Sequence, residues 1–528
     1  MSMRMPSPMI HDFSKVPGED IQRSVFQRDH ALKTAFNESY LYPIFLDEIY
    51  PGDSMDCNMT GYARLSTPVY PIMDNLYLET FFFFVPMRLV WDNWEKFMGQ
   101  QDNPADTTAY TIPQCTSGGA VANGYAEETL QDYFGLPIET TLDYSHSNIP
   151  MRMYNLIYNT WFRDQNLQNS VTVDTDNGPD TYSDYVLLKR GKRHDYFTAC
   201  LPWTYKDNAN TDVSIPLGTE APIFGDNMDF DDVEDGNNLA QVNNSSGVLK
   251  SLGIGINNVF GRSTNTGVAR LKADLASATS ASVNQLRQSF AIQRLLEKDA
   301  RGGSRYNEII RSHFGVTSTM DLVLQRPLYL GGGSTPIDIS SVPQTSETNT
   351  TAQGTMAAYG TALAKDHGWS HSFDEHGYVI GLVNVRAEIT YQQGIERHWS
   401  RSDRYDFYHP TLAGLGEQAV LNKEIYAGES TDEDTFGYIG RFDELRYKQS
   451  RITGVFRSKN SASLDAWHLS EEFTSLPTLS ATFIQDASPV SRVVAVSSEP
   501  RVILDTWFEY RCARPMPVFG IPGQMDRF

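Results

Sequence analysis

The 528-residue chain has few cysteines, too few basic residues to balance its acids, and no long apolar run. Each shortage closes off a class of protein. Cys57, Cys115, Cys200 and Cys512 lie far apart with no CxxC pair. That spacing argues against a disulfide framework or a zinc ribbon and suits free thiols in a reducing cytosol. No window approaches the ~18 apolar residues of a spanning helix. The start, MSMRMPSPMIHDF, has no apolar signal core, so no secretion is implied. A formal charge of −22 argues against a surface that grips nucleic acid everywhere, though a local basic patch stays open. Catalytic signatures are missing as well: there is no Walker loop, HExxH or GxSxG. GGGSTP at 331–336 lacks the lysine of a phosphate cradle and reads as a tight loop.

What is present is aromatic and strand-like. In LETFFFFVP, 78–86, Phe81 and Phe83 point one way while Phe82 and Phe84 point the other. Both faces of this strand must be buried, or one must meet another chain, so the four phenylalanines are core or interface residues. Pro86 stops it. Upstream, Met55, Cys57, Met59, Ala63 and Leu65 alternate with Ser54, Asp56, Asn58, Thr60 and Arg64, the period of a strand with one wet face. Near the other end, Val502, Leu504, Thr506, Phe508 and Tyr510 share one face, with Asp505, Glu509 and Arg511 opposite. Strands this far apart in sequence should meet in one β-core interrupted by large insertions, and such long insertions usually carry function.

Helical signals are local. One helix starts near Pro150; a longer one, VNQLRQSFAIQRLLEKDA, starts at Val283 with a Val283, Leu286, Phe290, Leu296 stripe. Ser304 can cap a second helix, RYNEIIRSHF. Residues 1–40 read as an extended arm, and the proline-rich end, 512–528, as another.

Four segments are candidates for binding. LLKRGKRHDYF gathers Lys189, Arg190, Lys192 and Arg193 beside aromatics, a pattern that can neutralise phosphates, or else a solvated turn or a set of salt bridges. RHWSRSDRYDFY, with Arg397, Arg401, Arg404, Trp399 and Tyr405, can stack on single-stranded bases, but such residues also dominate protein interfaces. HGWSHSFDEHG carries His367, His371, Asp374 and His376, which are metal-ligand types without a regular metal spacing; a polar loop is the simpler reading. DNMDFDDVED, 226–235, is a solvated acidic loop that could hold a structural divalent cation such as calcium.

Over nearly its full length the chain resembles the major capsid protein of microviruses, in particular the gokushovirus group. The resemblance is carried by FSKVPGEDIQRSVFQRDH, YPIFLDEIYPGD, LYLETFFFFVPMRLVW, KRGKRHDYFTACLPW, YLGGGSTPI, YVIGLVNVRAEITYQQG, HWSRSDRYDFYHP and LGEQAVLNKEIY. It implies a mainly β fold: a single viral jelly roll, an eight-stranded antiparallel β-sandwich, with large loop and helical insertions. It also implies no enzymatic activity and no cofactor. Sixty copies, by way of pentamers, would form a T=1 icosahedral shell around circular single-stranded DNA, with a small basic DNA-binding protein inside. Assembly in the cytoplasm of a bacterial host is implied too. Residues 226–282, which match no family pattern, fall where the group carries a variable insertion at the threefold axes; 283–315 is a helical insertion. Within the first of these, Leu252, Ile254, Ile256, Val259 and Phe260 are apolar among glycines, and three copies could bury them together or present them to a host receptor. Without the resemblance, a cytosolic β-sandwich enzyme or glycan-binding module with long loops would compete.

Overall fold

A computed structural model describes residues 22–66, 68–100, 103, 105, 107, 109–118, 124–204 and 325–519. Between 205 and 324 it describes short strands at 223–225, 229–232, 238–241, 259–262 and 271–273, helix 283–302, and residue 312. The chain divides into two compact units: residues 1–204 with 316–528, and residues 205–315.

The first unit is built on antiparallel strands. In chain order they are β1 (Ser24–Gln27), β2 (His30–Phe36), β3 (Tyr42–Ile49), β4 (Ser54–Leu65), β5 (Leu76–Pro86), β6 (Leu328–Pro343), β7 (Met356–Ser372), β8 (Gly377–Ala387) and β9 (Val502–Arg514). One sheet runs β2-β9-β4-β7 and the other β3-β8-β5-β6, with β1 continuing along β9 beyond β2. The sheets join through β6: Leu328–Ile337 pairs with β5, and Asp338–Pro343 pairs with β7. Two four-stranded sheets in this order form a jelly roll, which brings the last strand beside the first.

The alternation read from the sequence is the alternation observed. Met55, Cys57, Met59, Ala63 and Leu65 on β4 are buried, as are Val502, Leu504, Thr506, Phe508 and Tyr510 on β9. Both sets face the space between the sheets beside Trp369 of β7 and meet Phe45, Phe82 and Phe84 from the other side. Rings dominate that core: Phe45 lies 6.0 Å from Phe82, and Phe84 lies 4.6 Å from Phe373. Fully burying such a side chain contributes roughly 1.5–3 kcal/mol, as an upper bound.

The other face of β5 is covered by the chain's own insertion. Helix α1 (Ile149–Ile157) begins with Pro150 in its first turn and buries Met151, Met153, Tyr154 and Ile157. These residues cluster with Phe83, Val85, Ile380 and Leu382 on the outer side of the β3-β8-β5-β6 sheet. Phe83 sits 5.6 Å from Trp161 and 5.8 Å from Phe162, and Phe81 sits 5.4 Å from Phe162. Phe82 and Phe84 therefore fill the sandwich, while Phe81 and Phe83 lie under the α1 layer. A strand that is apolar on both faces is needed because this sheet is the middle layer of three.

Three readings of local structure change. Residues 24–36 are not a free arm but two short strands hydrogen-bonded to β9, because their alternating side chains complete the sheet edge. Residues 1–21 lie outside the described residues. At the other end β9 runs on to Arg514, past the expected start of the second arm, since Cys512 still points into the core. GGGSTP is part of β6, not a tight loop, and a register shift between Tyr329 and Gly331 marks a bulge there. At Gly332 (φ +153°) a Cβ would run into the Thr80 carbonyl, and at Gly333 it would meet the His367 ring. The glycines allow two strands and a buried imidazole to come close together.

In the second unit, α2 (Val283–Gly302) forms where the sequence predicts it, and the second helix expected after Ser304 lies outside the described residues. The acidic stretch contributes Asp229–Asp232 to a three-stranded sheet, between Asn238–Gln241 and Val259–Arg262.

Candidate functional site

The basic run follows α1 and returns along the outer side of the β3-β8-β5-β6 sheet, where it meets an acid on the phenylalanine strand. Glu79 of β5 has a side chain only 9% exposed. Arg190 pairs with it, Arg193 Nη2 donates to its Oε1 at 2.9 Å, and Arg386 Nε of β8 donates to its Oε2 at 2.9 Å. Burial pushes the Glu79 carboxyl up, but the guanidiniums of Arg190, Arg386 and Arg193 outweigh it and hold the group below the usual carboxylate range. Burial, with Arg386 close by, lowers Arg190 to about 10 against the pull of Glu79. Surplus positive charge is taken up by rings: Arg190 lies 4.5 Å from the Phe81 centroid, and Arg193 lies 4.0 Å from that of Tyr77.

The neighbouring cation is held in the same way. Lys192, with a side chain 3% exposed, lies 2.8 Å from Glu471 and 4.3 Å from the Phe483 ring centroid. Burial raises the Glu471 carboxyl, and Lys192 opposes that rise. Arg193 also reaches Glu388 at 3.2 Å. Lys189 stacks over Tyr40 at 5.3 Å, where Tyr40 and Lys189 also form a backbone bridge.

This corrects the expectation that the run faces phosphates. Arg190, Lys192 and Arg193 are committed to carboxylates of their own chain, leaving only Lys189 among the four without a described ion pair. The residues missed from sequence are Glu79 and Arg386. A glutamate inside a strand buried on both faces needs cationic partners, so the Glu79 position itself was the available signal.

His367 is not in a polar loop; it lies on β7 inside the sandwich. Its Nδ1 is 2.8 Å from Thr80 Oγ1 and its Nε2 is 2.9 Å from Thr335 Oγ1. Burial lowers its pKa, with Asp366 opposing. Gly333 N–H donates to the Thr80 hydroxyl, which fits Thr80 as donor to Nδ1 and Nε2–H as donor to Thr335. Among the described residues, no group of three or more His, Cys, Asp or Glu side chains is placed to hold a metal ion. All four cysteines are free and buried.

The second aromatic and arginine segment lies on the surface. Arg397 donates to Glu424 at 2.9 Å, and Arg401 to Glu444 at 3.2 Å. Arg404 lies 5.0 Å from the Tyr405 centroid, and Trp399 is 74% exposed. Beside it, a cavity of about 320 Å³ is lined by Ile395, Arg397, Arg401, Glu424, Leu445 and Tyr447 among others. Of the apolar residues expected at a protrusion, Leu252, Ile254 and Ile256 lie outside the described residues. Val259 and Phe260 lie in the strand Val259–Arg262, without a described side-chain environment.

A jelly roll whose loops and helix wrap one face is an architecture that viral coat subunits share with lectin and cupin domains. The family model for the capsid protein (F protein) matches residues 14–524. The capsid protein VP1 of Bdellovibrio phage phiMH2K is 46% identical, with 98% of each chain covered. That of Chlamydia phage 1 is 40% identical over 98% of each chain, and that of Spiroplasma virus 4 is 36% identical over 97% of each. The chain belongs to the F-protein family of phage capsid proteins, of the gokushovirus type. It is a structural component of a virion that assembles into a multimeric shell, and the enzyme reading finds no support.

Proposed function

We propose that sixty copies of this chain, by way of pentamers, close a T=1 shell around a circular single-stranded DNA genome in the cytoplasm of a bacterial host. The observation that carries this is the match of jelly roll and family model from one end of the chain to the other. Sixty subunits at −22 each sum to about −1320, and the genome adds only negative phosphate. The internal pairing of Arg190, Lys192 and Arg193 supports the same conclusion from the structure, because this basic run is occupied before any DNA arrives. Neutralisation therefore falls to a small basic DNA-binding protein inside, with metal cations or polyamines. The compositional analysis of purified full particles tests this. A basic peptide and excess counterions are expected; particles of this chain and DNA alone would refute it.

Residues 226–282 form the threefold protrusion that attaches to a host receptor. Support comes from their lying within a compact unit of their own, residues 205–315. Replacing 228–278 with a short Gly-Ser bridge should leave shells that assemble but do not adsorb to the host. Normal adsorption removes the attachment role, and failure to assemble shows that the segment is structural.

A further inference from the structure

We infer that the surface formed by residues 395–415 and 441–451 is an interface between copies of this chain in the assembled shell. The inference rests on the assembly of the family into shells and adds where one contact lies.

Three observations carry it. The first is apolar exposure. Trp399, Tyr405, Phe407, Tyr408, Leu415 and Leu445 are between 52% and 74% exposed. At roughly 200 Å² for an aromatic side chain and somewhat less for leucine, they present on the order of 700 Å². That is most of the ≈800 Å² one partner contributes to a standard interface, and it exceeds the typical apolar patch of a monomer.

The second is contiguity. Arg441 donates to the Tyr405 carbonyl at 3.2 Å and through its backbone N–H to the Gly416 carbonyl at 2.9 Å. Tyr408 stacks edge-on against Phe442 at 5.2 Å, Arg401 lies 5.3 Å from the Phe407 centroid, and Ile395 and Leu445 line one cavity. The two segments thus present one surface.

The third decides between kinds of partner. Five of the seven lysines and arginines on this surface are paired with carboxylates, and the other two, Arg404 and Arg441, lie over the Tyr405 and Phe442 rings. Arg397 pairs with Glu424, Arg401 with Glu444, Arg446 with Asp443, and both Lys448 and Arg451 with Glu396. A surface rich in Trp, Tyr, Phe and Arg with most of its cations paired to carboxylates matches the core of a protein–protein interface, whereas a nucleic-acid site needs a row of uncompensated cations along the backbone track. A second copy of this chain is the partner that a shell supplies.

The test compares Trp399→Ser and, from the other segment, Leu445→Asp with the wild-type chain by sedimentation velocity and electron microscopy over a concentration series. Both side chains are exposed, so circular dichroism and melting should match wild type. If one variant folds poorly, the other carries the test. An interface tryptophan is the kind of residue whose loss weakens association about thirtyfold or more when it anchors the contact. The midpoint concentration for assembly should rise by that factor or shells should vanish. Variants that associate like wild type overturn the inference, as do variants that assemble normally but lose bound DNA. Patch-dependent oligomers of another copy number would leave this interface standing and overturn only the sixty-copy reading.

Discussion

Replacing Glu79 by glutamine is the most informative single change in the core of the subunit. It keeps the shape of the side chain and removes the one charge that Arg190, Arg193 and Arg386 share. Arg190 and Arg386 have side chains 14% and 11% exposed, so water screens them poorly; Arg193, at 26%, is better solvated. Leaving buried cations unpaired costs about 3–5 kcal/mol in comparable sites, and the partial solvation of Arg193 places the expectation toward the lower end. Denaturant unfolding of the isolated subunit at neutral pH should show this loss. The pH dependence makes the test specific. The folded pKa of Glu79 is depressed, so its contribution is complete above the unfolded value of about 4.5 and is lost as pH falls through the folded value. The gap between wild type and variant should therefore be constant near neutrality and close in acid. Other buried carboxylates, such as Glu471 and Asp486, are shifted upward by burial, but they are common to both proteins and cancel in the difference. A deficit below about 1 kcal/mol, or one that does not change with pH, would refute the clamp as a stabilising feature.

The two faces of the phenylalanine strand should respond unequally. Phe82→Ala, in the fully buried sandwich core, should cost about 3–5 kcal/mol, whereas Phe81→Ala, only partly buried beneath Phe162, should cost less than half of that; equal losses in unfolding experiments would contradict the partial burial of Phe81. His367 has a lowered folded pKa, so its contribution is intact above the unfolded value of about 6.5 and is lost as pH falls through the folded value. Unfolding midpoints of the wild type should fall across that window more than those of His367→Gln, and parallel profiles would show that the imidazole is not held neutral between Thr80 and Thr335.

The alternation of β4 and β9 was legible because a strand with one wet face writes its burial into every second residue. Closure of the roll was legible from the same two strands lying at opposite ends of the chain. The edge role of residues 24–36 was not, because β1 and β2 are short and their pairing depends on β9, hundreds of residues away. The GGGSTP segment was misread for a related reason. Glycine signals a turn when only neighbours in sequence are considered, yet Gly332 and Gly333 answer to Thr80 and His367 across strands. The basic run shows the limit for sites. Lys-Arg clustering gives the charge but not the counter-charge, and Glu79 and Glu471 come from strands and loops that only the fold brings near. The aromatic surface around Trp399 was marked by composition, while the pairing of most of its cations became visible only with Glu424, Glu444 and Glu396 in place.

The mass of the particle assembled from this chain tests the account most directly. At 59.4 kDa per chain, a closed shell of sixty copies has a protein mass of about 3.6 MDa before DNA or internal peptides are added. Native mass spectrometry or sedimentation of purified particles should find that value, with pentamers as the smaller species. A chain that stays monomeric at assembly concentrations, or closes with a different copy number, would contradict it.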